Sequence, residues 1–134
     1  MKKQYLLIWL LCLPLLSLAQ QKEGRLQLSY AFTGIKEGYN HQEKVDLYLN
    51  DKLIYSGPAA AMDEKRAMDV SLPPGTWELR LESWVWYDEQ WEAQTVANGY
   101  NIDAVWTSTI KVKKKKKLKI DLEFDIAQNE IREL

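Results

Sequence analysis

Cysteine is almost absent from this chain of 134 residues, in which Cys12 is the single thiol and His41 the single imidazole. Cys12 lies in an apolar N-terminal run that has the features of a cleaved leader, so the working chain would contain no thiol. Thiol catalysis, disulfides and cysteine-ligated metals are therefore excluded for that chain. No apolar stretch long enough to cross a bilayer follows the run.

The N-terminus has the organisation of a secretory signal peptide. Two lysines follow the initiator methionine, residues 5–18 are apolar, and small residues occupy the two positions that a signal peptidase must fit before Gln20. The apolar run is shorter than the roughly 20 residues that span a membrane, which disfavours a retained anchor. A lipid anchor at Cys12 is rejected because the large residue Leu11 precedes it.

Cleavage of residues 1–19 would leave one domain over residues 20–134, a chain of 134 − 19 = 115 residues. Its charge would be 16 − 19 = −3, because two of the 18 Lys and Arg residues are lost. A chain of this size buries roughly two thirds of its unfolded surface and can fold without disulfides or metals. The short, lysine-led leader predicts an exported bacterial protein, located in the periplasm or outside the cell.

Strict alternation of apolar and polar residues dominates from Gly24 onward, and Gly, Pro and Asn interrupt it. A period of two predicts strands with one buried face, and no long segment shows the 3.6-residue period of a helix. We therefore predict an all-β fold over residues 20–134. The predicted architecture is a single antiparallel β-sandwich of seven or eight strands, immunoglobulin-like or transthyretin-like.

Three hairpins would keep these apolar residues on shared faces. Their turns lie at residues 50–52, at residues 73–75 and in the lysine run near residue 115. The predicted pairs are Leu47 with Tyr55 and Leu49 with Leu53, then Val70 with Leu79 and Leu72 with Trp77, and finally Trp106 with Phe124, Ile110 with Ile120 and Val112 with Leu118.

Three segments do not follow the alternation. Residues 57–66 are predicted to connect the two sheets, with a short helical turn over residues 59–62. Residues 87–101 are irregular, and a small hairpin through residues 88–90 is as plausible there as a loop. Residues 128–134 are polar and are expected to form a helical turn or a frayed end.

A family resemblance rests on residues 70–81, Val-Ser-Leu-Pro-Pro-Gly-Thr-Trp-Glu-Leu-Arg-Leu, followed by Thr-Ile-Lys-Val at 109–112 and Leu-Lys-Ile-Asp-Leu at 118–122. This order, a strand, a Pro-Gly turn, a strand and later an extended strand with its return, resembles transthyretin-like and PEGA-type β-sandwich modules. It covers about a third of the exported chain. The resemblance implies an accessory or carbohydrate-associated role in exported proteins, without catalysis.

Catalytic motifs are missing from the sequence. It has no Gly-x-Ser-x-Gly turn, phosphate-binding glycine loop, dinucleotide fingerprint or His-Glu-x-x-His pair. His41 is expected to be an exposed loop residue, and alternating acids such as Asp121 and Glu123 are expected to form a solvated row. A glycosidase pair and a weak Ca²⁺ site are both disfavoured, so we predict a non-enzyme with no cofactor and no metal.

Lysine is concentrated near the C-terminus, with seven lysines among residues 111–119, whereas residues 20–110 carry a charge of 8 − 14 = −6. In the predicted hairpin, Lys111 would lie opposite Lys119, and like charges so placed destabilise a sheet. The favoured interpretation is a solvated tip, and the alternative is contact with an anionic surface such as lipid headgroups, an acidic glycan or an acidic partner. The candidate contact residues are Lys111, Lys113, Lys114, Lys115, Lys116 and Lys117. Nucleic acid is not expected because export separates the protein from it.

Aromatic residues are the second unusual feature. By strand parity, Trp77 and Trp106 belong to the core, whereas Trp84 and Trp86 share the polar face. A bulge near Ser83 that turned these two rings inward, or coverage by another element, would remove them from the surface. The candidate contact surface consists of Trp84, Trp86, Tyr87 and Trp91. It suits a protein partner, or a glycan whose C–H faces stack on indole rings.

Three functional hypotheses follow. The leading one is a non-catalytic, exported binding protein that contacts a protein partner in the cell envelope through the aromatic residues. The second is a carbohydrate-binding module that uses exposed Trp and Tyr. The third is a structural envelope protein whose lysines touch an anionic membrane surface.

Overall fold

A computed structural model describes residues 23–134, so the predicted leader over residues 1–19 lies outside the described part of the chain. Within residues 23–134, no helix has the length and apolar character needed to cross a membrane. A 3₁₀ helix spans Val96–Asn98. The strands are β1 (Gly24–Thr33), β2 (Gln42–Leu49), β3 (Lys52–Ser56), β4 (Ala60–Ala61), β5 (Arg66–Leu72), β6 (Gly75–Tyr87), β7 (Gln90–Ala93), β8 (Val105–Val112), β9 (Lys117–Asp125) and β10 (Glu130–Glu133).

The strands form two sheets, which confirms the predicted β-sandwich. The first sheet has the order β10-β9-β1-β5, and the second contains β3-β2-β6 with β4 on β2. Strands β8 and β7 follow one another along the other edge of β6. Two details differ from the prediction. The pair β1 and β9 is parallel, and two short strands outside the predicted set, β4 and β10, raise the total among residues 23–134 to ten.

Alternating side chains of both sheets meet in one core, as the period of two requires. On β1, for example, Leu26 and Leu28 are fully buried, whereas Arg25 on the opposite face is exposed. Each buried Leu, Val or Phe side chain contributes about 1.5–3 kcal/mol relative to an exposed one. The largest fully buried apolar side chains are Tyr30, Phe124, Leu26, Leu28, Leu47, Leu72, Leu79, Leu81, Ile102 and Leu122.

The first predicted hairpin exists with a different turn. Leu47 pairs with Tyr55 as predicted, but Leu49 pairs with Lys52 rather than with Leu53. Asn50 and its neighbour Asp51 have positive φ of 47° and 65°, which makes a two-residue turn. A shift of register after Leu47 absorbs the extra residue, and Leu53 is left half exposed.

The other two predicted hairpins are wrong, because their turns carry the chain from one sheet to the other. Val70 pairs with Leu26 of β1, not with Leu79, and Leu72 pairs with Gly24, not with Trp77. Likewise, among residues 23–134, β8 pairs with β6, and β9 pairs with β1 and β10. The predicted pairs of residues 106–112 with residues 118–124 therefore do not form. Alternation cannot distinguish the two arrangements, since an arch between sheets also keeps both apolar faces in the core.

The three segments that do not follow the alternation contain short strands. Residues 57–66 do connect the sheets, but Ala60–Ala61 is a strand on β2 rather than part of a helical turn. The hairpin through residues 88–90 is confirmed, with Tyr87 paired to Gln90 across two positive-φ residues. The C-terminal segment contains β10 on the edge of the first sheet.

The sandwich has two chemically different ends. The lysine end holds the start of β1 and the turns at residues 50–51, 73–74 and 113–116. The opposite end holds the loops at residues 34–41, 88–89 and 95–104, and we call it the pocket end because a cavity lies among these loops. Gly24 packs tightly at the lysine end, where a Cβ atom would lie 2.5 Å from the carbonyl oxygen of Lys113. The chain therefore enters the domain directly beside the lysine run.

Candidate functional site

Three of the four predicted aromatic contact residues lie together on the outer surface of the second sheet. We call Trp84, Trp86 and Trp91 the tryptophan face. Trp86 pairs with Trp91 across β6 and β7, and their ring centroids are 5.4 Å apart at an interplanar angle of 65°. The Lys44 ammonium lies 4.7 Å from the Trp91 ring, a cation–π distance. Trp86 is 43% exposed, and Val105, which lies opposite Glu82 on the same face, is 40% exposed.

Trp84 is half-buried between its neighbours on β2 and β7, Lys44 and Ala93. The register of β6 against β2 is continuous, so the inward turn of Trp84 and Trp86 by a bulge near Ser83 does not occur. The indole nitrogen of Trp84 is buried and has no hydrogen-bond partner among the described residues. Since indole can only donate, this nitrogen is a buried donor left unsatisfied beneath the tryptophan face.

Tyr87 is separated from the three tryptophans because it occupies the opposite parity on β6. Its ring centroid lies 5.6 Å from that of His41, edge to face, and His41 in turn lies 6.3 Å from Tyr39. Tyr87 is 54% exposed and Tyr39 is 62% exposed. The predicted four-residue patch is therefore two surfaces, one on the outside of the sheet and one at the pocket end.

The pocket end contains a cavity of about 390 Å³. Tyr39, His41, Tyr87 and Tyr100 supply aromatic surface, and the buried amide of Gln94 lies among them. His41, predicted to be an exposed loop residue, is partly buried here. The alternation along β6 indicates this position of Tyr87 beside the cavity, because residue 87 has the same parity as the buried residues Leu79, Leu81, Ser83 and Val85.

Tyr100 and Glu92 form a fixed pair in the wall of this cavity. The Tyr100 hydroxyl donates a hydrogen bond to Glu92 Oε1. Burial, followed by this hydrogen bond and the charge of Glu92, raises the pKa of Tyr100, so the phenol stays protonated. The hydrogen bond from Tyr100 holds one carboxylate oxygen of Glu92, and the second carboxylate oxygen takes no part in it.

A buried polar network lies next to the cavity and links the two sheets. Glu43 on β2 is fully buried, and it accepts hydrogen bonds from Tyr30 at 3.1 Å and Ser83 at 2.6 Å. Arg66 Nη2 lies 2.7 Å from Glu43 Oε1, outside hydrogen-bond geometry, so this contact is mainly Coulombic. Arg66 Nη1 donates to the Glu43 carbonyl at 2.8 Å.

Burial raises the pKa of Glu43, and its contacts with Ser83, Arg66 and Tyr30 offset part of that shift. Burial of the Tyr30 hydroxyl, together with the nearby charge of Glu43, raises the pKa of Tyr30. Our sequence predictions did not include this network. The alternation on β2 indicates that Glu43 is buried, because it has the same parity as the buried residues Val45 and Leu47.

The predicted lysine tip is an arch between sheets rather than the end of a hairpin. Lys111 pairs with Thr76 and Lys119 pairs with Gln27, so the expected opposition of like charges across two strands is absent. All seven lysines are exposed. Among residues 23–134, the ion pairs of lysine involve Lys65 alone.

The acidic row on β9 is largely neutralised by neighbouring side chains. Arg132 lies 2.8 Å from Glu123 and 2.6 Å from Asp125, and Ser29 donates to Asp121 at 2.8 Å. Over residues 23–134, no group of three or more His, Cys, Asp or Glu side chains is arranged to hold a metal ion. The contacts of these acids with Ser29 and Arg132 join β9 to β1 and β10.

The fold defines an all-β module of the two-sheet sandwich class. No protein-family model and no curated protein matches the sequence. Among solved structures, it is similar to a Bacteroides ovatus protein to which a cell adhesion role has been attributed, with 10% identity and a TM-score of 0.45 over 84% of this chain. It is also similar to the CARDB domain of a Pyrococcus furiosus protein solved with two metal ions, with 9% identity and a TM-score of 0.38 over 73% of this chain and 96% of that domain.

This chain spans 44% of the Bacteroides ovatus protein, less than half of its length. At these identities and scores, the assignment to the sandwich class depends on the strand order and register described above.

Proposed function

We propose that the protein is an exported, non-catalytic binding module that contacts a protein partner in the bacterial cell envelope through the tryptophan face. The observation that supports this most directly is the joined Trp86–Trp91 pair on an uncovered sheet surface beside Lys44. Trp is the residue most enriched among the energetic anchors of protein interfaces. Export follows from the predicted leader, and periplasmic and extracellular locations both fit the proposal.

Exposed apolar surface adds a second argument for a partner. Trp86 and Val105 on this face are 43% and 40% exposed, and contact with another protein would remove that apolar area from water. The contact would thus depend mainly on apolar burial.

Trp86→Ala is expected to reduce capture of an envelope protein by at least about tenfold, because it removes the most exposed ring of the face. The measurement is a pull-down from envelope extract with the purified protein, quantified for one identified band or mass-spectrometric hit. Leu53→Ala is the matched control, since Leu53 is also an exposed apolar residue but lies on β3. The melting temperature of both variants should stay close to that of the parent. Equal capture by the parent and both variants would refute the contact surface.

A second candidate function is attachment to an anionic surface by the lysine end. The lysines are exposed and not paired with acids, and the backbone N–H of Lys115 donates to the Glu23 carbonyl at 3.3 Å, where the chain enters the domain. A surface that attracts residues 111–119 would therefore also lie close to Glu23. The tryptophan face and the cavity, nearer the opposite end, would stay accessible.

Lys114→Gln/Lys115→Gln is expected to weaken binding to vesicles with anionic phospholipid by about 25-fold, or about fivefold for each lysine. Vesicle co-sedimentation measures this, and binding should also disappear in about 0.5 M salt because surface charges are then screened. Lys36→Gln/Lys65→Gln removes the same charge elsewhere and should weaken binding much less. If the two double variants weaken it equally, net charge rather than the lysine end is responsible.

A further inference from the structure

The cavity at the pocket end has the surface chemistry of a sugar-binding site, and it is separate from the tryptophan face. Its volume of about 390 Å³ lies within the range of pockets that hold small ligands. Tyr39 and Tyr87 expose more than half of their surface at its rim. Such rings offer flat apolar faces against which the C–H groups of a pyranose can pack.

Gln94 provides a buried polar group in the lining of this cavity. It is 2% exposed, and the partner of its Nε2 among the described residues is the sulfur of Met62 at 3.5 Å, a weak acceptor. The Ser83 hydroxyl donates its one proton to Glu43 at 2.6 Å, so it cannot also donate to Gln94 Oε1, which lies 2.8 Å from it. The Gln94 amide therefore keeps hydrogen-bonding capacity that a ligand hydroxyl could satisfy.

The charges around the cavity favour a neutral ligand. Lys36 and Glu92 are the lining residues that carry full charges, and they have opposite signs. Tyr100 holds Glu92 through one carboxylate oxygen, so the other can accept a hydrogen bond from a hydroxyl group. A ligand with its own net charge would gain from one of these side chains and be repelled by the other.

The wall of the cavity is pre-formed by hydrogen bonds within the loop at residues 95–104. Asn98 Nδ2 donates to the Ala93 carbonyl at 2.8 Å, and the N–H of Val96 donates to the Asp103 side chain at 2.8 Å. Gly99 reverses the chain with a φ of 92°, and the N–H of Tyr100 donates to the Thr95 carbonyl at 3.1 Å. A loop fixed in this way loses little further entropy when a ligand binds.

We propose that this cavity binds a neutral sugar unit, with Tyr87 and Tyr39 packing on the ring and Gln94 and Glu92 bonding its hydroxyl groups. The four features above support it jointly: exposed aromatic rims, an incompletely satisfied buried amide, balanced charge and a pre-formed wall. The site is independent of the proposed partner contact, because Trp86 and Tyr87 are adjacent in sequence but lie on opposite faces of β6.

The test is saturation-transfer NMR of the purified protein with glucose, N-acetylglucosamine and cellobiose, alongside glucuronate and glucosamine as charged counterparts. We expect saturable binding of at least one neutral sugar, weakened about tenfold or more by Tyr87→Ala. Trp86→Ala is the matched control and should retain sugar binding while losing partner capture. Tyr100→Phe keeps the ring but releases Glu92, and it should weaken binding to a smaller extent.

Three results would overturn the proposal. The first is no saturation transfer from any neutral sugar up to about 50 mM, well above the range of useful weak affinities. The second is binding that Tyr87→Ala leaves unchanged, which would place the sugar elsewhere. The third is binding of glucuronate or glucosamine alone, which would contradict the charge argument.

Discussion

Arg66→Met is expected to lower the free energy of unfolding by about 3–5 kcal/mol at pH 7, because it leaves the carboxylate of Glu43 buried without its positive partner. Glu43 has no exposed surface, and the side chain of Arg66 is 12% exposed. The substitution keeps an apolar stem of similar length. It also removes the guanidinium carbon 5.0 Å from the Tyr30 ring and the bond from Nη1 to the Glu43 carbonyl. Urea denaturation measures the change.

The loss should depend on pH in a defined direction. A carboxyl whose pKa is higher in the folded than in the unfolded state stabilises the fold most below its unfolded-state pKa, and this contribution is lost as the pH rises through the folded-state pKa. Glu43 is such a group, and removal of Arg66 raises its pKa further because a nearby positive charge is gone. The difference between parent and variant should therefore be largest near neutral pH and shrink toward about pH 4, where Glu43 is protonated.

Two further variants isolate the buried pair. Arg25→Met breaks the exposed pair with Asp69, whose side chains are 58% and 37% exposed, and should cost less than about 1 kcal/mol. Glu43→Gln/Arg66→Met removes both charges and should recover more than half of the loss, because no unpaired charge remains. Equal losses at all pH values, or a double variant as unstable as Arg66→Met, would show that packing rather than charge dominates.

The sequence predicts which side chains point inward more reliably than which strands are neighbours. Alternation correctly assigns Leu26, Leu47 and Leu122 to the core, because a period of two places them on one face whatever the partner strand is. Strand pairing is a different matter. The turn at residues 73–74 and the lysine run satisfy the same alternation whether they join neighbours or cross between sheets, so local pattern could not decide.

The candidate site was predictable to a similar degree. Trp84 and Trp86 were placed correctly on the outer face, because β6 carries no bulge that would change their parity. Adjacency in sequence groups Tyr87 with them, although strand parity places it on the other face. The cavity was out of reach of the sequence, since Met62, Gln94 and Tyr100 come together only through the closure of several loops.

Phe124→Ala is expected to destabilise the protein by about 3–5 kcal/mol, comparable to the loss of Arg66. Phe124 is fully buried, with its ring stacked on Phe32 at 4.9 Å and edge-to-face with Tyr30 at 6.0 Å. The cavity that remains lies where β1 and β9 run parallel, so both strands lose packing together. Urea denaturation measures the loss, and Phe124→Leu provides a milder change if the alanine variant does not fold.

A double-mutant cycle then tests the parallel pairing of β1 and β9 directly. Register places Phe32 beside Phe124, so Phe32→Leu and Phe124→Leu should show a coupling of about 0.5–1.5 kcal/mol, the range for an aromatic pair. Leu79→Ala with Phe124→Leu is the control, and it should be additive because Leu79 lies in the other sheet toward the lysine end. Additivity of the two phenylalanines would contradict this register, and with it the crossing of residues 113–116 between the sheets that carries the lysines to one end.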